Sequence, residues 1–245
     1  MSVPGPSSPQ AINADSMRSF RPTVVVNFAF LTRERVHSEG EGVFRRINSE
    51  LTERFLRLTD SPAVRLAITV SSGASVAEPE HPYGELKAAE EAAALEFLSP
   101  SRAVVVLRAY SVSGAYVRRP RGYAFSDLIL QARSGSVRVE ADRPVYRRYV
   151  SIQDALGVSL SCGAAGGSGV VETGGELVEV VELADRIIRV VNPAAEITRA
   201  EQISNEPSSY CSDNRSWKEW VARSGAHPLD LDGQIAAVAH GLVDD

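Results

Sequence analysis

Three runs of consecutive apolar, largely β-branched residues set the strongest limit on how this chain folds. They are TVVVNFAF at 23–30, RLAITVSS at 65–72 and RAVVVLRAY at 102–110. A strand that is apolar on both faces is typical of a parallel sheet with helices on both sides. Residues 41–59 repeat apolar side chains at helical spacing, and residues 83–97 are rich in helix-forming Ala, Glu and Leu. The alternation of strands and helices predicts an α/β fold with a parallel sheet.

Beyond residue 110 the same patterns predict further elements, although less regularly. A short helix is also expected before the first strand, at 13–20. The expected helices cover 124–133, 152–162, 177–191 and 231–243, and the expected strands cover 136–140 and 169–173.

The composition excludes several classes of partner. The formal net charge of -5 gives the chain no electrostatic reason to bind nucleic acid or an anionic membrane. No apolar stretch approaches the roughly 20 residues that a membrane-spanning helix needs. The two cysteines, Cys162 and Cys211, do not form a disulfide framework, and the N-terminus lacks the layout of a signal peptide. We therefore expect a soluble cytoplasmic protein, and we predict no metal site.

The motif that carries chemistry is Tyr83-Gly84-Glu85-Leu86-Lys87, at the start of a predicted helix. Residues four apart lie on one helical face, so the Lys87 ammonium is expected beside the Tyr83 phenol. A nearby positive charge favours phenolate and is expected to lower the tyrosine pKa from about 10 towards neutrality. A tyrosine tuned in this way exchanges a proton with a substrate hydroxyl or carbonyl. Ser72, at the end of the preceding strand, is placed to hold the same oxygen.

Five segments of the sequence form an ordered pattern. A strand that ends in Ser-Ser is followed by Tyr-x-x-x-Lys at a helix start. The other segments are Asn27-Phe28-Ala29, Asn48, the run 107–114 (LRAYSVSG) and the run 147–154 (RRYVSIQD). In this order they resemble the extended short-chain dehydrogenase/reductase family, the NAD-dependent epimerases and dehydratases of nucleotide sugars, and the resemblance covers roughly residues 13–243.

The resemblance implies a role for each matching residue. Tyr83 would be the general acid/base, Ser72 would orient the substrate oxygen, and Lys87 would tune the tyrosine and hold the nicotinamide ribose. Asn27 and Ala29 would lie along the cofactor, which the resemblance implies is NAD or NADP.

Three more residues are implied to contact the substrate, a nucleotide-sugar-like small molecule. Arg147 falls where the family clamps the diphosphate, a task suited to a planar bidentate donor. Ser111 falls where the family has a substrate-facing asparagine, and Asn48 is the third.

Some of these residues have a structural alternative. Arg108 is better explained as an ion-pair former than as a ligand, and Asn48 is also suited to bonding backbone. Asp154 is better explained as capping or pairing at a helix start than as catalytic. Either Ser71 or Ser72 suits the catalytic serine position, and one alignment places Gly73 there; we favour Ser72.

The sequence departs from the family where the dinucleotide is normally bound. Nothing before residue 23 fits the Gly-x-x-Gly-x-x-Gly loop, so the first strands are expected to be missing. A literal match at 163–169 lies after a predicted helix and before a predicted strand. It therefore predicts a linker, because the fingerprint needs a strand before it and a helix after it. Arg148 and Ser151 also replace the family's aspartate and histidine.

These observations predict an α/β fold, a truncated Rossmann-type parallel sheet with a small C-terminal α/β substrate lobe. The expected parts are a disordered N-terminus at 1–12, a truncated Rossmann-like core at 13–115, and a mixed C-terminal portion at 116–245. Some strands and helices of the C-terminal portion are expected to return to the core.

Three functions remain open. The first is an NAD-dependent epimerase/dehydratase-like enzyme that acts on a nucleotide sugar. The second is a non-catalytic pseudoenzyme or partner subunit, and the third is a cofactor-independent isomerase or lyase that retains the Tyr/Lys pair. Without the first strands, the 23–30 strand would form an unpaired sheet edge. We therefore also expect a homo-oligomer or a partner protein to cover that edge.

Overall fold

The computed structural model describes residues 20–117 and 120–242, and all structural statements below concern these residues. The strands are β1 (Val24–Asn27), β2 (Leu66–Ser72), β3 (Ala103–Ala109), β4 (Ser111–Ser113), β5 (Ser136–Val139), β6 (Val145–Ser151), β7 (Gly169–Glu172), β8 (Leu177–Glu179), β9 (Glu196–Arg199) and β10 (Ser208–Ser209). The helices are α1 (Arg35–Glu39), α2 (Glu41–Thr59), α3 (Ala74–Ala77), α4 (Pro82–Leu95), α5 (Ala124–Ser134), α6 (Ile152–Ala164), α7 (Val180–Val191), α8 (Arg215–Ser224) and α9 (Leu231–Gly241).

The main sheet has four parallel strands in the order β1-β2-β3-β7. Its centre is the pairing of β2 with β3, which runs in register from Leu66 opposite Ala103 to Ser72 opposite Ala109. Because the strands are parallel, their carboxyl ends meet at one edge of the sheet. Ser72 and Tyr110 therefore lie side by side there.

Helices cover both faces of this sheet, as apolar runs without alternation require. On one face, Ala67 and Val104 pack against Phe55 of α2 and Ala94 of α4. The opposite face packs against α6 and α8, and its buried members include Leu66, Ile68, Val105, Leu107, Val158, Trp217 and Trp220.

The C-terminal part contributes two smaller sheets. Strand β6 pairs in parallel with β4 on one side and β10 on the other, and also antiparallel with β8. Strands β5 and β9 form a separate parallel pair. A second apolar cluster joins α5, α7 and α9 around Ile129, Ile187 and Ile235, all fully buried. This arrangement lets β10 reach back towards the carboxyl edge of the main sheet.

The predicted α/β class with a Rossmann-type parallel sheet is confirmed. The predicted strand at 23–30 is longer than the real one, because Asn27 ends β1: its Oδ1 accepts a hydrogen bond from the Ala29 N–H at 3.0 Å. The predicted helix at 177–191 begins only at Val180, since residues 177–179 instead pair with β6. Strands β4, β6, β9 and β10 were not predicted.

The literal glycine match has the predicted linker geometry, because helix α6 ends at Ala164 and β7 begins at Gly169. The predicted disordered N-terminus at 1–12, and most of the predicted helix at 13–20, lie outside the described residues. Within the described ranges, none of the helices is both long and apolar enough to cross a membrane.

Candidate active site

The candidate site is a cleft of about 620 Å³ at the carboxyl edge of the main sheet. Ligands of open parallel sheets bind at this edge. We call it the tyrosine cleft; its lining includes Thr32, Arg33, Ser72, Glu78, Tyr83, Tyr110, Tyr123, Arg147, Ser208, Ser209 and Tyr210. A smaller adjoining cavity of about 240 Å³, the lysine pocket, is lined by Phe28, Phe30, Thr32, Val70, Ser71, Ser72, Tyr83, Lys87, Ala109 and Tyr110.

Tyr83 lies in both linings because helix α4 begins just before it. Pro82 occupies the first helical position, and the His81 side chain caps the helix by accepting the Tyr83 N–H at 3.1 Å. The next residue, Gly84, packs so tightly that an added Cβ would lie 2.2 Å from the Glu78 carbonyl oxygen. The cap and this contact with the preceding turn fix the position of Tyr83.

The pKa of Tyr83 does not follow the direction expected from the sequence. Burial raises the pKa of Tyr83 above its ordinary value, and a hydrogen bond from the Ser72 hydroxyl only partly opposes the rise. The expectation that this pKa is lowered towards neutrality is wrong in direction, because the effect of burial outweighs the contributions that oppose it. At neutral pH Tyr83 is therefore a neutral phenol, able to donate a proton.

Of the three candidates for the serine position, Ser72 presents its hydroxyl to the cleft. Its Oγ lies 3.2 Å from the hydroxyl of Tyr210, which β10 brings from the C-terminal part. Ser71 instead donates to buried Glu91 at 2.5 Å. A Cβ at Gly73 would lie 2.4 Å from the Tyr110 ring, so glycine is required there.

Lys87 is the least accessible of the predicted site residues that face a cavity. Only 3% of it is exposed. Its Nζ donates to Glu90 Oε2 at 2.8 Å and to the Val70 carbonyl oxygen at 2.9 Å. The Phe30 ring covers the same ammonium, with Nζ 3.7 Å from the ring centroid.

Asn27, predicted to line the cofactor, is also used within the protein. Its Nδ2 donates to Glu90 Oε1 at 2.6 Å, while its Oδ1 holds the Ala29 backbone. Ala29 is exposed but does not line the lysine pocket. The predicted substrate contact of Asn48 is not found, because Asn48 is fully buried and its Oδ1 accepts the Leu31 N–H at 2.7 Å. The alternative role of Asn48, bonding backbone, is the one observed.

Arg108 has the structural role that was favoured from the sequence, whereas Asp154 makes a structural contact other than the expected cap or pair. Arg108 pairs with Glu91 at 2.5 Å and with Glu172 at 2.8 Å, which confirms it as an ion-pair former. Asp154 lies in the first turn of α6 and accepts the Leu229 N–H at 3.0 Å, so it links two elements.

Arg147 lies in the tyrosine cleft, where the resemblance expects a diphosphate clamp. It donates to the Tyr146 carbonyl oxygen at 2.8 Å, and its guanidinium lies 5.9 Å from the Tyr210 ring centroid. Among the described residues it forms no ion pair with a carboxylate. Ser111, in contrast, begins β4 opposite Tyr149 and is not part of the cleft lining.

The sequence reasoning missed most of the cleft's tyrosines. Tyr110, Tyr123 and Tyr210 all line it, and the rings of Tyr110 and Tyr210 are 5.1 Å apart. Tyr110 is the last residue of the predicted strand 102–110 and was available as a signal. Nothing near Tyr210 in the sequence links it to residue 72. In the described ranges, no group of three acidic, histidine or cysteine side chains is placed to hold a metal ion.

No protein-family model matches the sequence, and no curated protein sequence was found to match it. Solved structures do resemble it. A UDP-glucose 4-epimerase from Brucella ovis in complex with NAD has a TM-score of 0.73 at 19% identity, covering 92% of this chain and 80% of that one. MoeE5 in complex with UDP-glucose and NAD has a TM-score of 0.68 at 21% identity, covering 91% and 80%.

A third solved structure, TunA, is an NAD-dependent NDP-hexosamine 5,6-dehydratase involved in tunicamycin biosynthesis. It has a TM-score of 0.67 at 19% identity, covering 91% of this chain and 78% of that one. At these identities the likeness establishes the fold.

Proposed function

Because the chain has the fold of the extended short-chain dehydrogenase/reductases, we propose that it binds a nucleotide sugar in the tyrosine cleft. The observation that carries the proposal is Arg147, a half-buried guanidinium in the cleft with no carboxylate partner among the described residues. A diphosphate supplies the negative charge and the paired acceptor oxygens to which a guanidinium donates. The hydroxyls of Ser72, Tyr83 and Tyr210 are suited to a polyhydroxylated sugar.

For catalysis, we propose proton transfer at a sugar oxygen, with Tyr83 as the general acid. Its neutral phenol donates the proton, and Ser72 orients the acceptor oxygen through its hydroxyl. No step runs through a pyridine nucleotide. The residues predicted to hold one do not fit it, since Asn27 and Lys87 are both engaged within the protein.

A non-catalytic nucleotide-sugar-binding subunit is the second candidate. It is favoured by the raised pKa of Tyr83, because a general base at neutral pH needs a lowered one. Both candidates share the same ligand, and turnover distinguishes them.

Isothermal titration calorimetry with UDP-glucose, UDP and glucose tests the shared ligand. We expect saturable binding of UDP-glucose, weaker binding of UDP and none of glucose alone. Arg147→Gln should weaken UDP-glucose binding about 10- to 100-fold, since a charge-assisted bidentate contact is lost. Arg138→Gln, which removes an exposed arginine paired with Glu140, is the matched control and should leave binding unchanged. Equal affinity of the Arg147→Gln and unaltered proteins, or no binding of any nucleoside diphosphate sugar in a panel, would refute the proposal.

A further inference from the structure

We infer that Lys87 is the buried counter-ion of Glu90, and that Phe30 closes the position where the resemblance would place a nicotinamide ribose. On this inference the lysine pocket does not accept a pyridine nucleotide, although the fold is shared with NAD-dependent enzymes. The inference does not rest on the proposed function, because Arg147 does not line the lysine pocket.

The hydrogen bonds of Glu90 account for the position of Lys87. Glu90 is fully buried; its Oε1 accepts from Asn27 Nδ2 at 2.6 Å and from the Thr69 hydroxyl at 2.7 Å. Its Oε2 accepts from the Lys87 ammonium at 2.8 Å. A buried carboxylate requires a charged partner, because an unpaired buried charge costs several kcal/mol. Lys87 is that partner and is 3% exposed itself.

The N–H groups of the Lys87 ammonium already have partners within the protein. An ammonium has three N–H groups and no acceptor. One N–H is directed to Glu90 and one to the Val70 carbonyl oxygen, while the Phe30 ring lies over the ammonium. A ribose hydroxyl can reach Nζ only if the Phe30 ring moves or if the ion pair with Glu90 is broken.

Two buried asparagines hold the loop that carries Phe30. Asn27 Oδ1 accepts the Ala29 N–H at 3.0 Å, and Asn48 Oδ1 accepts the Leu31 N–H at 2.7 Å. These bonds fix the backbone immediately before and after Phe30. The ring also packs edge-on against Tyr83, with the centroids 5.8 Å apart.

The first experiment uses the fact that Lys87 and Lys218 are the only lysines of the chain. An amine-acylating reagent followed by peptide mass spectrometry should modify exposed Lys218 at least about 100-fold faster than Lys87, since a buried amine reacts only on local opening. Phe30→Ala should speed modification of Lys87 about tenfold by removing the ring that covers it. Phe28→Ala, an exposed phenylalanine of the same pocket lining, is the matched control and should change it little.

The same protein is then titrated with NADH and followed by fluorescence. We expect no saturation up to about 1 mM, and no effect of NADH on the modification of Lys87. Micromolar NADH binding that protects Lys87 from acylation would overturn the inference. Acylation of Lys87 as fast as that of Lys218 would overturn it as well. Loss of UDP-glucose binding would contradict the proposed function and not this inference.

The second experiment separates a structural lysine from a catalytic one through stability. Lys87→Met should raise the equilibrium constant for unfolding by about 100-fold or more, because Glu90 is left buried and unpaired. Adding Glu90→Gln to this variant should lower the unfolding constant again by at least about tenfold. Lys218→Met should change it by less than about threefold. Full stability of Lys87→Met would refute the counter-ion role; if this variant does not fold, the acylation experiment still decides.

Discussion

At the level of single residues, the tyrosine cleft is characterised by phenols whose ionisation is suppressed. Burial is the largest cause for Tyr83, Tyr110 and Tyr210 alike, and it raises the pKa of each above its ordinary value. For Tyr110 the carboxylate of Glu172 adds to the effect and brings its pKa to about 12. These phenols therefore donate and accept hydrogen bonds without carrying negative charge.

The raised pKa of Tyr110 predicts an alkaline loss of stability. The folded-state pKa of about 12 exceeds the unfolded value of 10.0, so the contribution is complete below pH 10. Between pH 10 and about 12 the unfolded phenol ionises before the folded one, so stability falls as the pH rises. Urea unfolding at pH 9, 10 and 11 should show a shallower decline for Tyr110→Phe than for the unaltered protein. Tyr116→Phe, at an 83% exposed tyrosine, is the control, and equal declines in all three proteins would contradict the prediction.

Tyr83→Phe tests the general acid directly. The ring remains and only the ionisable hydroxyl is lost, so packing against Phe30 is preserved. If a nucleotide sugar is turned over, kcat/KM should fall by about 10²- to 10⁴-fold. The Kd for the same sugar nucleotide should change by less than about tenfold, because a single neutral hydrogen bond contributes about 1 kcal/mol. An unchanged rate would remove Tyr83 from the mechanism.

The location of a cleft residue could be predicted where it lies at the end of a predicted strand or at the start of a predicted helix. Ser72 ends a predicted strand and Tyr83 begins a predicted helix. Both were therefore placed from the sequence, and both line the cleft. Their catalytic roles remain predictions. Burial was not predictable from the spacing of Tyr83 and Lys87, and burial is the largest cause of the raised pKa of Tyr83. The ion pair of Lys87 with Glu90, one turn further along the helix, was not predicted either.

At the level of elements, the start of helix α4 depends on one close backbone contact. An alanine Cβ at position 84 would lie 2.2 Å from the Glu78 carbonyl oxygen and 2.5 Å from that of Ala74. Both obstacles are backbone atoms and cannot rotate away. We therefore expect Gly84→Ala to destabilise the fold by about 1–3 kcal/mol and to displace Tyr83.

A matched control for this substitution exists within α6. Gly157 is also helical, and an added Cβ there meets nothing within 4 Å. Gly157→Ala should stabilise the protein by about 0.5–1 kcal/mol through helix propensity. Chemical denaturation of both variants measures the difference. Equal stability of Gly84→Ala and Gly157→Ala would show that the contact with α3 is not rigid.

The elements of the main sheet were predicted well because consecutive apolar residues have few alternatives. Strands β5 and β7 were predicted as well, but the other strands beyond residue 110 were missed, and β6 shows the physical reason. Apolar and polar side chains do not alternate regularly along β6, which has Arg147 and Arg148 in its middle. Its backbone forms hydrogen bonds with β4, β8 and β10, which come from distant parts of the chain. Pairing of this kind leaves no local pattern to read.

At the level of the whole molecule, β1 is the outer strand of the main sheet among the described residues. Val24 is 42% exposed there, and Phe28 and Val43 are exposed nearby. Exposed apolar edges favour association. We expect light scattering at micromolar concentration to show a dimer or larger species. A stable monomer would show that a local segment covers the edge.

Two substitutions on β1 refine this prediction. Val24→Lys places a charge on the exposed edge and should reduce association while the fold persists. Val25→Lys should disrupt folding instead, because Val25 packs against the cluster that contains Phe55 and Ala94. Size-exclusion chromatography with circular dichroism separates these outcomes. If both variants behave alike, the edge and the core were assigned wrongly.

The contact between Ser72 and Tyr210 has a consequence for how the molecule is made. The two residues are 138 positions apart, so their hydroxyls meet only after the chain between them has been synthesised and β10 has paired with β6. Closing so long a loop is entropically costly and slow, whereas the β1-β2-β3 unit consists of neighbours in sequence. The sheet is thus ready to form early on the ribosome, and the cleft is among the last features to appear. A ligand of the cleft would bind molecules in which β10 has paired with β6, and it would not bind earlier folding intermediates.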